Sequence, residues 1–463
     1  MNNEERVEEI KRRVVWLNEV SPTFCLAKWL TSTTTLYNGM THSCHHPAQH
    51  SIGQDFLLGA GPRALHNTPE KYAARQDMRE GVQTKECDYC WNIENLGQNH
   101  FSDRHYKSAN EETGVWQRRD EIVQGGDHID ATVVPSYFEV AFENICNFKC
   151  SYCSPDVSSR WMEEIQHHGP YKMAGGDDHH NLEWLKSSGR FPIHHTERNP
   201  YIDAFWKWWP ELYPKLHTFR ITGGEPLLSK NTWRVLHEIE QNPRPDLNLE
   251  INTNLGVPSE MVTKLARTLN RLADKIGNIV VYTSAESTGA QAEYSRYGMD
   301  WNVFEENVEI LLSECVPKVI VTFMTTVNIL SASTFDDFLY WITALRTKYT
   351  FDQSHNRVRF TVSYLRWPEH QVVTLLDDAE KEAFAARLLM ALTHCSSPDL
   401  WVPMYLEEQD QIQRLINFMR SETATPEQLK RFRMFFDEYD RRRGTNLLKT
   451  FPELQRVYEM GSP

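Results

Sequence analysis

Three cysteines stand within eight residues, in the run Cys146-Asn147-Phe148-Lys149-Cys150-Ser151-Tyr152-Cys153. Thiolates are the usual ligands of a [4Fe–4S] cube, and a complete set is four. Three on one loop hold three irons and leave the fourth with an open position, much as a catalytic zinc keeps one. An open iron can bind a small molecule. The other cysteines are at 25, 44, 87, 90, 315 and 395, and Cys87 and Cys90 form a second tight pair. Nine is an odd number, and tight thiol groups in a reducing compartment point to metal rather than to a disulfide framework. Cys315 and Cys395 read as core or loop residues.

A second motif is Thr222-Gly223-Gly224-Glu225-Pro226. A glycine pair lets the backbone approach a ligand closely, and the Glu225 carboxylate can accept a charge-assisted hydrogen bond from an ammonium group. Other polar candidates fall near strand ends: Asn252, Asn254, and the run Thr283-Ser284-Ala285-Glu286. The two asparagines either face a ligand or cap the next turn. Arg296 carries a guanidinium suited to bidentate work, or else is a solvated arginine on a surface helix.

These residues need a scaffold, and the hydrophobic pattern predicts one. Strands are expected at 137–142, 218–221, 247–251, 279–283, 318–322 and 358–364. Helices are expected between most of them, at 233–239, 260–273, 303–312 and 335–345. That alternation argues for parallel strands with crossover helices, and six such units make an incomplete barrel. The stretch 24–107 reads as irregular, with one helix opened by Thr68 and Pro69 and closed by Gly81. Gly125 and Gly126 read as a linker, and 167–199 as a polar, His-rich insertion. From Ala379 onward the text is helical. Thr425, Pro426 and Glu427 open one helix whose apolar stripe is Leu429, Phe432, Phe436 and Tyr439. The expected division is 1–125, 130–375 and 376–463.

The 463 residues carry a formal net charge of −14, which argues against a non-specific grip on nucleic acid. The first 13 residues are rich in Glu and Arg and lack the apolar stretch of a secretory signal. No apolar run approaches the roughly 18 residues that span a bilayer. A soluble, cytoplasmic protein is expected.

The spacing C-x3-C-x2-C after a strand resembles the signature of the radical S-adenosylmethionine (SAM) superfamily. That resemblance implies an open iron that chelates the amino and carboxylate groups of SAM. One electron then breaks the S–C5′ bond, giving methionine and a 5′-deoxyadenosyl radical that takes hydrogen from a substrate. Tyr152 matches the family's aromatic before the third cysteine. Gly223, Gly224 and Glu225, followed by Pro226, look like the motif that contacts the SAM amino group. By the same resemblance Ser284 and Glu286 meet the ribose or carboxylate, Arg296 pairs with the carboxylate, and Asn252 faces SAM.

Cys25, thirteen residues, Gly39, four residues and Cys44, followed by Cys87 and Cys90, resembles the auxiliary-cluster pattern of SPASM and twitch extensions. Four cysteines favour the one-cluster twitch type. The pattern departs from those extensions in preceding the barrel. A zinc ribbon would use the same four thiols, and His42, His45, His46 and His50 read as loop residues. The runs Cys90 to Gly97, Ser102-Asp103-Arg104, Arg443-Gly444 and Phe451-Pro452-Glu453-Leu454 also look like twitch-domain radical SAM proteins, so the resemblance covers most of the chain.

The implied fold is α/β: a partial (β/α)6 TIM-like barrel, an N-terminal Cys-rich auxiliary module and a C-terminal helical cap. Clusters and SAM are expected at the carboxyl ends of the strands. The implied cofactors are a SAM-binding [4Fe–4S] cluster, an auxiliary [4Fe–4S] cluster and SAM, with flavodoxin or ferredoxin as electron donor. The short segment before Cys25 leaves no room for a winged peptide-binding domain, which favours a small molecule (a sugar, nucleoside or aminocyclitol) over a peptide or protein substrate. A reading of another class is a non-catalytic zinc or iron–sulfur scaffold or sensor.

Overall fold

The computed structural model describes residues 3–97, 100–176, 179–353 and 355–462. Its strands are β1 (Thr31–Thr35), β2 (Met40–His42), β3 (His50–Ser51), β4 (Tyr137–Ala141), β5 (Lys149–Cys150), β6 (Thr218–Thr222), β7 (Asn248–Thr253), β8 (Ile279–Ser284), β9 (Arg296–Tyr297), β10 (Val319–Val327) and β11 (Val358–Tyr364). Nine of them form one mostly parallel sheet in the order β11-β10-β8-β7-β6-β4-β1-β2-β3, and β5 pairs with β9 alone. Each of the six expected strands is present, and these six lie side by side in chain order. Helices intervene between them, among them Lys230–Gln241, Ser259–Leu272, Trp301–Glu314 and Phe335–Tyr349. The fold class is therefore α/β, as the alternation predicts.

The chain forms two compact units. The first takes the chain up to Glu143 with Gly189–Gly223 and Arg244–Glu250; the second takes Asn144–Ser188, Gly224–Pro243 and the chain from Ile251 onward.

In the first unit, the expectation of an irregular segment over 24–107 is corrected. A helix Asn3–Val20 opens the chain. β1 then lies parallel to β4, with Thr31 opposite Tyr137 and Thr35 opposite Ala141. β2 returns antiparallel to β1, with Thr33 opposite His42. The run TSTTT of β1 lacks apolar alternation, yet all five residues are buried. The β-branched shape of its four threonines is the strand signal the periodicity missed. The turn to β2 uses Gly39 at φ +67°, where a Cβ would lie 2.1 Å from the Tyr201 ring. The helix Pro69–Arg79 is capped by Thr68 as expected, with its side chain accepting from the Lys71 amide. Gly125 and Gly126 are not a linker: both lie inside the helix Arg119–Thr132, which kinks at Gly126 (φ +51°, ψ −145°). Asp130 of that helix ties the unit together. It accepts from Trp29 Nε1 at 2.5 Å, Gln76 Nε2 at 2.7 Å, and Arg79 Nε and Nη2 at 2.7 Å.

In the second unit, β8 alternates buried and half-buried residues, so its two faces are sealed unequally. β8 and β11 flank β10 in parallel register, with Val321 opposite both Val281 and Val358. The helix Pro426–Arg443 has the predicted cap and stripe. Thr425 and Gln428 form a capping box, Gly444 ends the helix in the left-handed region, and Leu429, Phe432, Phe436 and Tyr439 are buried. Among the described residues, no helix is long and apolar enough to cross a membrane.

Candidate functional site

The three-cysteine loop belongs to the second unit and runs into the helix Ser159–His168, capped by Ser158. Its cysteines are half-buried, and none of the nine cysteines is disulfide-bonded. Cys146 Sγ accepts from the Phe148 amide at 3.4 Å and from Asn254 Nδ2 at 3.8 Å. Asn254 Nδ2 also reaches Asn147 Oδ1 at 2.8 Å, and Asn147 Nδ2 donates to the Gly256 carbonyl at 2.7 Å. Cys150 lies on β5 opposite Arg296 on β9.

Burial pushes the Cys146 thiol up to about 12, and the charge of Cys150 adds to it. Cys150 is raised by burial against the pull of the neighbouring Arg296. Cys153 is raised by burial and then by Cys150 and Cys146. A bound metal inverts that balance and deprotonates a coordinating thiol outright. A three-thiolate donor set of this kind suits iron of an iron–sulfur cluster.

The loop's backbone is held by a clasp of side chains that sequence reasoning did not identify. Four consecutive carbonyls each accept from a ring or amide nitrogen. Trp161 Nε1 donates to the Cys150 carbonyl at 2.9 Å, Gln371 Nε2 to Ser151 at 3.0 Å, His179 Nε2 to Tyr152 at 3.1 Å, and His180 Nε2 to Cys153 at 3.1 Å. A carbonyl can only accept, so both imidazoles carry their proton on Nε2. The His-rich stretch 167–199, apart from residues 177 and 178, which lie outside the described residues, thus contributes to the cysteine loop. His180 is fully buried between Trp161 and Phe435, at ring distances of 4.4 and 5.2 Å. His180→Phe keeps that packing and orphans the Cys153 carbonyl. It is expected to cost about 1–3 kcal/mol in urea unfolding.

Glu225 is 2% exposed and turned into the protein. Its Oε1 accepts from the Leu227 amide at 2.9 Å and Thr253 Oγ1 at 2.8 Å; its Oε2 accepts from the Asn254 amide at 2.6 Å. Its own amide donates to the Ile145 carbonyl at 2.6 Å. Gly224 makes this approach possible, since a Cβ there would lie 2.2 Å from that carbonyl oxygen. The motif therefore locks the 253–254 turn and the entry to the cysteine loop together. Pro226 opens the short turn Pro226–Leu228.

Burial raises the Glu225 carboxyl to about 7, against the pull of its three donors. Its folded value lies above its unfolded one, so its stabilising contribution is full below about 4.5 and is lost as pH rises through about 7. Unfolding midpoints in urea are expected to fall over that window by an amount worth roughly 3 kcal/mol, and Glu225→Gln is expected to flatten the profile.

Arg296 is not a solvated surface residue: it is 5% exposed. Glu286, 1% exposed, takes its Nε at 3.1 Å and its Nη2. Tyr152 donates its hydroxyl to Glu286 Oε1 at 3.2 Å, and its ring lies 5.6 Å under the guanidinium. Arg296 Nη1 stands 3.9 Å from Cys150 Sγ. Burial alone would depress this guanidinium, but the Glu286 carboxylate overrides it and raises it. Asn252 and Ser284 end neighbouring strands and are half-buried; Asn252 Nδ2 lies 3.8 Å from Met324 Sδ. Gly223, the last residue of the first unit's 189–223 segment, has φ +128°.

The second group of cysteines lies in the first unit. Cys25, Cys44, Cys87 and Cys90 line one small cavity together with Lys28 and Arg104. Three of these thiols are buried within the unit's hydrophobic core, beside Leu26, Met78 and Trp91; Cys44 is half-buried. Burial raises all four, Cys90 to about 12. Lys28 and Arg104, each 3% exposed, pair with Glu86 and Glu94. Cations in the wall of a thiol-lined cavity suit an anionic cluster. Among the described residues, no group of three or more His, Cys, Asp or Glu side chains is arranged to hold a single metal ion. The expectation that both clusters sit at the carboxyl ends of strands is corrected. Cys25 precedes β1, and β2 brings Cys44 back beside Thr31 and Tyr137, so this cavity lies at the amino ends of β1 and β4.

No protein-family model matches the chain, and no curated protein matches it.

Proposed function

We propose that this chain is a radical SAM enzyme of the twitch/SPASM type, built on a partial (β/α)6 barrel with an auxiliary-cluster module and a helical cap. The observation that carries the reading is the loop of three half-buried thiols clasped through four consecutive carbonyls. Cys146, Cys150 and Cys153 would hold a [4Fe–4S] cluster, and Cys25, Cys44, Cys87 and Cys90 a second, auxiliary one. Bound to the open iron of the first cluster, SAM would be cleaved reductively to methionine and a 5′-deoxyadenosyl radical that abstracts hydrogen from substrate.

The residues of the chain divide the remaining work. The clasp fixes the spacing of the thiols, so that loading does not have to order the loop. Glu225 fixes the turn that carries Asn254 against Cys146. Asn252 and Ser284 are polar and half-buried, so SAM can reach them. The substrate class we assign is a small molecule such as a sugar, nucleoside or aminocyclitol, modified by a two-electron oxidation or a related step, with flavodoxin or ferredoxin as reductant. A peptide or protein substrate is the alternative.

The test is anaerobic reconstitution followed by metal analysis and by incubation with SAM and a strong low-potential reductant. About eight irons per chain and formation of 5′-deoxyadenosine are expected. Four irons with one zinc would replace the auxiliary cluster by a zinc site. Full iron without 5′-deoxyadenosine, or zinc alone, would favour a scaffold or sensor.

A further inference from the structure

We infer that Arg296 serves the Cys150 thiolate and that it eases reduction of the cluster on this loop. The inference rests on the function proposed above. A carboxylate recognised by arginine takes two parallel N–H groups from one edge of the fork. In this protein the edge formed by Nε and Nη2 is already taken by Glu286. Of the three N–H groups left over, two on Nη1 and one on Nη2, one on Nη1 reaches Cys150 Sγ, 3.9 Å away. The antiparallel pairing of β5 with β9 sets that approach in the backbone, because Cys150 and Arg296 are directly opposed. Tyr152 fixes the other member of the pair by donating to Glu286. The ion pair is neutral as a whole, but it presents its positive side to the sulfur.

Reduction adds negative charge to a cluster, and hydrogen bonds to its sulfurs help set its potential. An N–H group of a cation at a ligating sulfur therefore favours the reduced form. Taking Arg296 away leaves Glu286 as an uncompensated buried carboxylate close to the thiolates, which opposes reduction further. Arg296 is thus a positioning and tuning residue that acts through Cys150.

The experiment is a redox titration of the reconstituted full chain without SAM, followed by electron paramagnetic resonance. Cys87→Ala/Cys90→Ala protein serves to assign the signals of the two clusters. Arg296→Gln is expected to make the cluster of Cys146, Cys150 and Cys153 harder to reduce by about tenfold, ~59 mV for one electron. Glu286→Gln/Arg296→Gln is expected to recover most of that shift. Arg296→Lys keeps a buried cation, and its shift should be smaller; it carries the test if the glutamine variant does not fold. An unchanged potential in Arg296→Gln, with SAM binding weakened tenfold or more, would give Arg296 to SAM and overturn the inference. If the unaltered chain loads iron and forms 5′-deoxyadenosine, such a result leaves the proposed function standing. If it does neither, the function falls and the assignment of Arg296 with it.

Discussion

Alanine at Cys146, Cys150 or Cys153 is expected to bring 5′-deoxyadenosine formation down to background, a loss of more than ~10³-fold on the scale of enzymatic rate enhancements. Iron should fall by about four atoms per chain, half of the expected load. The fold should survive. The thiols are half-buried, so an alanine removes little packing. Circular dichroism and urea midpoints close to those of the unaltered chain would show that the loss is chemical. The same substitutions at Cys87 and Cys90 should remove the other four irons and leave SAM cleavage in place. Retention of full 5′-deoxyadenosine formation by Cys150→Ala would remove the basis of the functional reading.

The second large effect falls on stability, at Asp130. This carboxylate is fully buried and accepts from Trp29, Gln76 and Arg79. Arg79 also lies 5.1 Å over the Trp29 ring. Asp130→Ala strands a guanidinium and an indole N–H, and removing one partner of a buried pair costs about 3–5 kcal/mol. Asp130→Asn keeps one acceptor and should cost less. The segment that Trp29 anchors also carries Cys25 and Lys28, two walls of the four-cysteine cavity. The expected result is a lower first urea transition, together with preferential loss of the auxiliary iron. A drop below about 1 kcal/mol, the size of one ordinary hydrogen bond, would show that the network is not stabilising.

The sequence and the structure agree where chemistry or periodicity was local. The helix expected at 260–273 is Ser259–Leu272, and that at 335–345 is Phe335–Tyr349. All six expected strands were legible because apolar runs alternate with helical patterns. β1 was not, since its five hydroxyl residues bury through hydrogen bonds and β-branched packing rather than through apolar alternation. The cysteine loop was legible from spacing alone. Its clasp was not, because Gln371 lies 220 residues from the carbonyl it caps, and glutamine and histidine carry no mark of such a role. Arg296 and Glu286 were identified as site residues, but their mutual pairing could not be read from a sequence.

The pairing of β1 with β4 has a consequence for how the protein comes into being. Thr31 must wait for Tyr137 to leave the ribosome before its strand gains a parallel neighbour, and the Trp29 anchor must wait for Asp130. The four-cysteine cavity therefore cannot mature as an autonomous cassette while the rest is still being synthesised. A fragment ending near residue 125 would lack both partners, and grafting that piece onto another protein would transplant the thiols without their support. Unlike an appended extension, this segment shares a sheet with β4, so its assembly is tied to a strand that follows it.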